Sequence, residues 1–222
     1  MSQMMKPVML IAGAALAVMS LSASARTETP TAAAETRQVS APAQVTTSSA
    51  FPQKATVGGR AVQLNGAGTR FRAVFQVYRA ALYTEKPVQQ YGELSNAGEA
   101  KRIHMVMLRE VNANELGGMF VRGIQENLDK ASAAKLMPAM LRMSALFNEY
   151  KKLEAGDQVL LDWIPGKGTV VTVKGSIAGE SIPEAQFYQS LAGIWLGPTP
   201  ADWKLRDAML GVKATTDTAN RN

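Results

Sequence analysis

A cation, an amide and a phenol on one predicted strand are the side chains of this sequence best suited to binding a small molecule. Residues 64–84 contain Arg70, Gln76 and Tyr78, all at even-numbered positions. Successive side chains of a β-strand point to opposite faces, so these three would share one face. All three side chains can donate hydrogen bonds. We therefore take them as the candidate ligand-binding residues, with Arg70 and Tyr78 as the candidate pair for catalysis if the protein is an enzyme.

The same stretch is typical of a long alternating strand. Its odd-numbered positions from Phe71 to Tyr83 are mostly apolar, so we expect them to face the core, whereas the even-numbered positions are mixed. Gly66 and Gly68 precede this strand and predict a turn. A dinucleotide-binding fingerprint would need a third glycine and a following helix, so nucleotide binding is disfavoured.

The composition excludes several kinds of chemistry. The chain has 0 Cys and 1 His, which removes disulfides, thiol nucleophiles, thiolate metal sites and multi-histidine metal sites. We predict no metal and no cofactor. His104 lies in the apolar run 103–108, where it could act as a general base. A lone histidine in such a run is more often a hydrogen-bonded core or edge residue.

The charge is modest and spread along the chain. The formal net charge is +6 at pH 7, and no run of Lys and Arg is interleaved with aromatic residues as in a nucleic-acid groove. We therefore predict no nucleic-acid partner.

The N-terminal residues have the pattern of an export signal. Lys6 is followed by an apolar run and then by the small residues Ala23, Ser24 and Ala25, which predicts a signal peptide over 1–25. The apolar run is shorter than the ~20 residues of a membrane-spanning helix, so we expect no membrane span after cleavage. The protein would then be exported to the periplasm or secreted. We further predict a disordered linker over 26–50, a domain over 51–213 and a loose tail over 214–222.

Helix and strand signals follow one another in blocks. Asn112 or Asn114 would cap a first helix, and a second would start near residue 135, with Pro138 in its first turn. Strands are predicted on both sides of Gly58-Gly59 and of residues 165–168. Two further helices would begin at Pro183 and at Asp202. Strands and helices in separate blocks indicate an α+β fold, an antiparallel sheet with helices on one face.

One set of short motifs keeps its order along the chain: residues 64–70 (LNGAGTR), 77–83 (VYRAALY) and 194–197 (IWLG), with Pro200, Leu205 and residues 210–211 after them. Together these motifs resemble the chalcone isomerase superfamily, and in particular its bacterial exported chalcone isomerase-like branch. It implies an open-faced β-sandwich, in which helices cover one face of a large antiparallel sheet and a ligand cleft lies between them.

The resemblance implies two possible functions for Arg70 and Tyr78. Arg70 matches an arginine that helps plant chalcone isomerases to bind a flavonoid, but Tyr78 stands in place of their catalytic threonine. Other members bind fatty acids without catalysis, through an arginine and a tyrosine at the carboxylate. A guanidinium gives two hydrogen bonds and a phenol a third, which suits a carboxylate. On a straight strand the two side chains would be ~26 Å apart, so the segment has to bend or bulge if they are to share a ligand.

Three hypotheses follow. The first is an exported, non-catalytic protein that binds a small amphiphilic or carboxylate ligand such as a fatty acid. The second is an isomerase, an intramolecular lyase that stabilises an oxyanion with Arg70 and Tyr78. The third is an envelope protein-interaction module. In a purely structural alternative, Arg70 pairs with a carboxylate at the end of the sheet and Tyr78 packs under the helices. The sequence leaves the oligomeric state open.

Overall fold

Seven antiparallel strands form one sheet in the computed structural model, which describes residues 51–212. The strands are, in spatial order, β1 (Lys54–Val57), β2 (Arg60–Arg72), β3 (Phe75–Thr84), β4 (Lys101–Met107), β7 (Gln158–Ile164), β8 (Gly168–Val173) and β9 (Ser176–Ile177). A separate two-stranded sheet contains β5 (Val111–Asn112) and β6 (Lys152–Leu153). The predicted signal peptide, linker and tail lie outside the described residues and stay predictions.

Four helices cover one face of the large sheet. They are α1 (Ala113–Gln125), α2 (Lys130–Asn148), α3 (Ala185–Leu196) and α4 (Trp203–Met209), and a short 3-10 helix spans Tyr91–Ser95. The main core lies between this face and the helices, where apolar side chains of β3, β4, β7 and β8 meet those of the helices. The α+β fold, an open-faced β-sandwich with its helices on one face, is confirmed. None of the helices within residues 51–212 has the length and apolar character needed to cross a bilayer.

The predicted long strand is a β-hairpin. The chain reverses at Ala73 and Val74, so that β2 and β3 pair with each other and Arg70 lies opposite Tyr78. Ala73 has a φ of +52°, a left-handed conformation that is uncommon for a residue other than glycine. The turn contains neither glycine nor proline, and so it lacks the usual sequence signal of a hairpin.

The predicted orientation of β3 is wrong. Even-numbered residues such as Tyr78, Ala80 and Leu82 face the main core, whereas Ala81 and Tyr83 belong to a second apolar cluster that also contains Phe51. The pairing register of the hairpin shifts at two places, between Leu64 and Gly66 and between Arg70 and Phe71. After the turn and after each shift, the side chains at odd-numbered positions no longer face the same side of the sheet as before. Because apolar residues are buried on both faces of β3, its pattern does not say which face the helices cover.

Most predicted helix boundaries agree with the structure. The side chain of Asn112 caps α1, and that of Asp202 caps α4 by accepting hydrogen bonds from Lys204 N and Leu205 N. Helix α2, however, starts before the predicted residue 135, because the side chain of Asp129 caps it. Pro138 therefore lies inside the helix and not in its first turn.

Gly66 and Gly68 belong to β2 and not to a turn, and they let α4 approach the strand closely. A methyl group at Gly66 would overlap the backbone oxygen of Ala208 and lie 2.7 Å from that of Met209. A methyl group at Gly68 would lie 2.9 Å from the Cδ1 of Leu205. The neighbouring Asn65 donates hydrogen bonds of 2.9 Å to the carbonyl oxygens of Val88 and Met209. This stretch therefore fixes α4 across β2.

We expect Gly66→Ala to destabilise the fold by about 1–3 kcal/mol or more, because the new methyl group meets backbone atoms that cannot rotate away. Gly92→Ala is the matched control, since a methyl group there has open space. Urea unfolding followed by circular dichroism measures both. Equal stability of the two variants would contradict this account of how α4 packs on β2.

Candidate functional site

The hairpin brings the two side chains of the predicted binding pair to one place. Arg70 of β2 and Tyr78 of β3 are cross-strand partners, and directly opposite residues on neighbouring strands have Cβ atoms within ~5.5 Å of each other. Arg70 and Tyr78 could share a ligand only if the segment between them bends, and in the structure this bend is a complete reversal of the chain. Both residues line one cleft between the sheet and the helices.

This cleft has a volume of about 560 Å³. Its walls come from the β2–β3 hairpin, the segment after β4, helix α1, and residues at the end of α3 and before α4. The apolar side chains along it are Val77, Val111, Leu116, Met119, Phe120, Ile194, Pro200 and Ala201. Besides Arg70 and Tyr78, the charged and amide side chains along it are Arg72, Arg109, Glu110, Asn112, Glu115, Arg122 and Glu126. Helix α1 can approach α3 closely because Gly123 has no side chain: a Cβ there would lie 3.0 Å from Ile194 Cγ1.

Tyr78 is buried below the helices, and its hydroxyl is fixed by a tryptophan. The Nε1 of Trp195 donates a hydrogen bond of 2.9 Å to the Tyr78 oxygen. Burial raises the pKa of Tyr78 from 10.0 to about 12, although the hydrogen bond from Trp195 and the charge of Arg70 both act to lower it. The phenol therefore stays neutral at physiological pH.

Arg70 is held by an acidic residue at the start of α4. Its Nη1 lies 3.3 Å from Oδ2 of Asp202 and also donates to the backbone oxygen of Phe71. The side chains of Arg70 and Asp202 are 25% and 15% exposed. The same carboxylate oxygen accepts from the Phe71 backbone nitrogen at 3.4 Å. One carboxylate thus connects the hairpin to α4 and restrains the guanidinium at the cleft.

Both side chains keep hydrogen-bond donors that the contacts above do not use. The Tyr78 oxygen accepts from Trp195, and no hydrogen bond between described residues uses the Tyr78 hydroxyl as a donor. A guanidinium has five N–H donors, of which the contacts to Asp202 and Phe71 involve only Nη1. Donors from both residues are therefore available to a ligand oxygen at the cleft.

Gln76 does not take part in this arrangement. It lies opposite Phe71 near the end of the hairpin, is exposed, and is not among the residues that line the cleft. The sequence placed Gln76 and Tyr78 on the same face of one strand, but the register shift between Arg70 and Phe71 and the short distance to the turn put Gln76 outside the cleft.

Two residues of the site have a role that sequence reasoning missed. Asp202 was identified as a helix cap and Trp195 as part of a family motif, but neither was linked to Arg70 or Tyr78. The contacts join residues 132 and 117 positions apart in the chain. A buried tryptophan needs an acceptor for its N–H and an arginine beside an apolar surface needs an anion, but neither need identifies the partner.

His104 lies on the other face of the sheet. Its Nε2 is 2.9 Å from Oε1 of Gln158, and its ring packs edge-on against Phe51. Burial lowers the pKa of this imidazole. The expected role as a hydrogen-bonded residue of the sheet is confirmed, and the histidine is separated from the cleft by the sheet itself.

We expect Tyr78→Phe to lower the stability at pH 7 by about 1–3 kcal/mol, because the buried Trp195 N–H loses its acceptor. The raised pKa of Tyr78 also predicts a pH dependence. Between pH 10 and about 12 the native state keeps a proton that the unfolded chain has released, so stability falls as the pH rises. Tyr78→Phe should make this fall shallower in urea unfolding measured from neutral to alkaline pH.

Tyr150→Phe is the control for that experiment. Tyr150 packs against the same core, but no hydrogen bond between described residues involves its hydroxyl. Its substitution should leave the stability nearly unchanged. If the Tyr78 and Tyr150 variants behave alike, the hydrogen bond from Trp195 does not stabilise the site.

Comparisons with known proteins agree with this architecture. Residues 43–211 match the model of a family described as chalcone isomerase-like. The crystal structure of a fatty-acid binding protein from Arabidopsis thaliana matches with a TM-score of 0.57 at 16% identity, over 72% of this chain and 90% of that chain. At this identity the likeness shows the fold alone. Among curated proteins, none matches this sequence.

The family match includes the hairpin with Arg70 and Tyr78, the helices α1 and α3 beside the cleft, and Asp202. It covers more than half of the sequence, and the sheet with its one-sided layer of helices is the fold of the matching structure. The chain therefore belongs to the chalcone isomerase-like family.

Proposed function

We propose that this protein binds, without catalysis, a small amphiphilic anion such as a fatty acid in the cleft between the β2–β3 hairpin and α1. The observation that carries the proposal is the convergence of Arg70 and Tyr78 at a cleft whose wall is apolar on one part, along the hairpin, α1 and α3. The anionic group of the ligand would bind these two side chains, and its tail would lie along the apolar residues.

The chemistry of the pair suits a carboxylate. Arg70 brings a permanent charge and several N–H donors, and Tyr78 brings a neutral hydroxyl because its pKa is raised to about 12. Charged hydrogen bonds from a guanidinium are roughly twice as strong as neutral ones, at about 1.5–3 kcal/mol. The hydrogen bond from Trp195 orients the phenol before a ligand arrives, so little order has to be imposed on binding.

The rest of the cleft suits an apolar tail. Val77, Leu116, Met119 and Phe120 line it from the hairpin and from α1, and Ile194 lines it from α3. Pockets for small ligands usually have volumes of about 300–1,000 Å³. The volume of about 560 Å³ lies within that range.

Asp202 competes with the ligand for Arg70. In the structure its carboxylate neutralises the guanidinium at 3.3 Å. A ligand carboxylate must displace this contact or share the guanidinium with it, and a second negative charge nearby weakens binding. The proposal therefore requires that Asp202 lowers the affinity for an anion.

A binding role is favoured over isomerase activity by the state of the tyrosine. Proton transfer is most efficient for groups whose pKa lies near the working pH, and burial moves the pKa of Tyr78 away from it. The imidazole of His104 is on the other side of the sheet. Arg70 and Tyr78 could still stabilise an oxyanion, and this keeps the isomerase as the alternative to test.

The comparisons support the proposal at the level of the fold. The chain shares its fold with the fatty-acid binding protein of Arabidopsis thaliana, and the chalcone isomerase-like family match covers the cleft residues. The nature of the ligand is inferred from Arg70, Tyr78 and the apolar walls.

We also propose that the protein is exported, because residues 1–25 have the sequence of a cleavable signal. The mature chain would start near Arg26. Intact-mass measurement of the protein recovered from a cell-envelope fraction tests this. A mass that includes residues 1–25 would contradict cleavage, and recovery from the cytoplasm alone would contradict export.

We expect Arg70→Ala to weaken fatty-acid binding by about ten- to a hundredfold, the equivalent of about 1.5–3 kcal/mol for a charged hydrogen bond. Isothermal titration calorimetry with a fatty acid below its critical micelle concentration measures this. A lipid or acid should also copurify with the parent protein and be absent from the variant in native mass spectrometry.

Asp202→Asn tests the same site in the opposite direction. The amide oxygen of asparagine can still cap α4, but the negative charge beside Arg70 is gone, so anions should bind more tightly. Arg60→Ala is the control, because Arg60 pairs with Glu85 away from the cleft. If neither Arg70→Ala nor Asp202→Asn changes the affinity, the ligand is not bound at Arg70. Turnover of a chalcone that Arg70→Ala abolishes would favour the isomerase.

A further inference from the structure

Exposed aromatic and basic side chains surround one end of the cleft. Val74 and Phe75, at the tip of the β2–β3 hairpin, are 82% and 60% exposed, and Trp203 at the start of α4 is 56% exposed. We call Phe71, Arg72, Val74, Phe75, Arg109 and Trp203 the hairpin rim. Arg72 and Arg109 also line the cleft, so the rim and the cleft are continuous.

Several contacts hold these residues together. The Phe71 backbone nitrogen lies 3.4 Å from Oδ2 of Asp202, which fixes the start of α4, and with it Trp203, beside the hairpin. The guanidinium of Arg109 lies 5.5 Å from the centre of the Phe75 ring. The guanidinium of Arg206 lies 5.0 Å from the centre of the Trp203 ring. Cations stacked on exposed aromatic rings make the rim both apolar and basic.

The charge of the rim is mainly positive. Two nearby acidic side chains are paired with cations. Asp202 pairs with Arg70, and Glu110 lies 2.7 Å from Lys152, which it shares with Glu154 at 3.2 Å. Asp207, one turn along α4 from Trp203, is the remaining acidic residue of this end of the helix, and Lys204 and Arg206 precede it. With Arg72 and Arg109, four cations therefore accompany two carboxylates, that of Asp207 and that of Glu115, which lines the cleft beside the two arginines.

We propose that the hairpin rim docks on the surface of a lipid bilayer that contains anionic lipids. Phe71, Val74, Phe75 and Trp203 would enter the interfacial region, while the arginines contact lipid phosphates. If the proposed function holds, an amphiphile can pass directly between the bilayer and the cleft. This last step rests on the proposed function, but docking itself does not.

The composition of the rim favours a bilayer over a protein partner. Tryptophan and phenylalanine beside arginine are typical of membrane–water interfaces, where the ring is buried and the cation remains at the headgroups. Each basic residue near an anionic surface contributes about 1 kcal/mol of attraction. The apolar residues lie at a projecting hairpin tip and at a helix start, a shape that can insert into an interface.

The fluorescence of Trp203 can test docking at this position. The other two tryptophans, Trp163 and Trp195, are 5% and 1% exposed, so a quencher in the acyl chains should reach Trp203 alone. The full chain is mixed with vesicles of phosphatidylcholine and phosphatidylglycerol whose lipids carry brominated acyl chains. We expect quenching that Trp203→Phe removes, that phosphatidylcholine alone does not produce, and that salt weakens.

The double variant Val74→Ser with Phe75→Ser should bind these vesicles about tenfold more weakly or worse, given the apolar area lost from the interface. Ile177→Ser is the matched control. Ile177 is 65% exposed on β9 and is not among the cleft residues, so its substitution should leave vesicle binding unchanged. Because the quenching reports contact at Trp203, it also distinguishes the rim from any vesicle binding through residues 1–25.

The outcomes separate this proposal from the proposed function. Absence of Trp203-dependent quenching, or equal vesicle binding by the rim variant and the Ile177 control, overturns docking even if a fatty acid still binds in solution. Quenching that depends on Trp203, Val74 and Phe75 supports docking even if calorimetry finds no fatty-acid binding. Docking would also be overturned if vesicles caused no quenching and the parent protein instead bound a stoichiometric protein partner that the Val74→Ser, Phe75→Ser variant does not bind.

Discussion

The close approach of α4 to β2 is the constraint on which the cleft depends. It is possible because Gly66 and Gly68 present only backbone to the helix, and Asn65 fixes the distance with hydrogen bonds to Val88 and Met209. With α4 in this place, its capping residue Asp202 reaches Arg70. The residue that caps the helix therefore also neutralises Arg70 at the cleft.

The hydrogen bond between Trp195 and Tyr78 has a similar double role. It satisfies the N–H of a tryptophan that is almost completely buried, and it fixes the phenol that lines the cleft. The Trp195 ring also packs edge-on against Phe120 of α1 at 5.7 Å, which connects helices α1 and α3 beside the site. Stability and the proposed ligand recognition thus depend on the same contacts, so a change at Tyr78 should affect both.

The cleft combines a restrained cation, a neutral donor and an apolar wall that continues to an exposed aromatic rim. Arg70 is neutralised by Asp202 while no ligand is bound, which reduces the free-energy cost of keeping a guanidinium at an apolar surface. The arrangement suits an anion that brings its own apolar tail. It also places the entrance beside the residues that we propose to meet a bilayer.

The sequence determined the α+β class, the positions of most helices and strands, and the pair of side chains at the site. These depend on local signals: the caps Asn112 and Asp202, the glycines at turns, and the alternation of apolar residues. The start of α2 was placed too late because Pro138 was taken as a first-turn residue, whereas the cap at Asp129 decided where the helix began. The hairpin turn was missed because Ala73 and Val74 carry no turn signal.

Only the tertiary structure decided which face of β3 the helices cover, that Arg70 and Tyr78 meet, and which partners hold them. A strand that is buried on both faces has no polar side to show its orientation. Contacts such as Arg70 with Asp202, or Tyr78 with Trp195, join distant parts of the chain. They arise from how α3 and α4 pack on the sheet, so the local sequence that makes each residue suitable does not specify its partner.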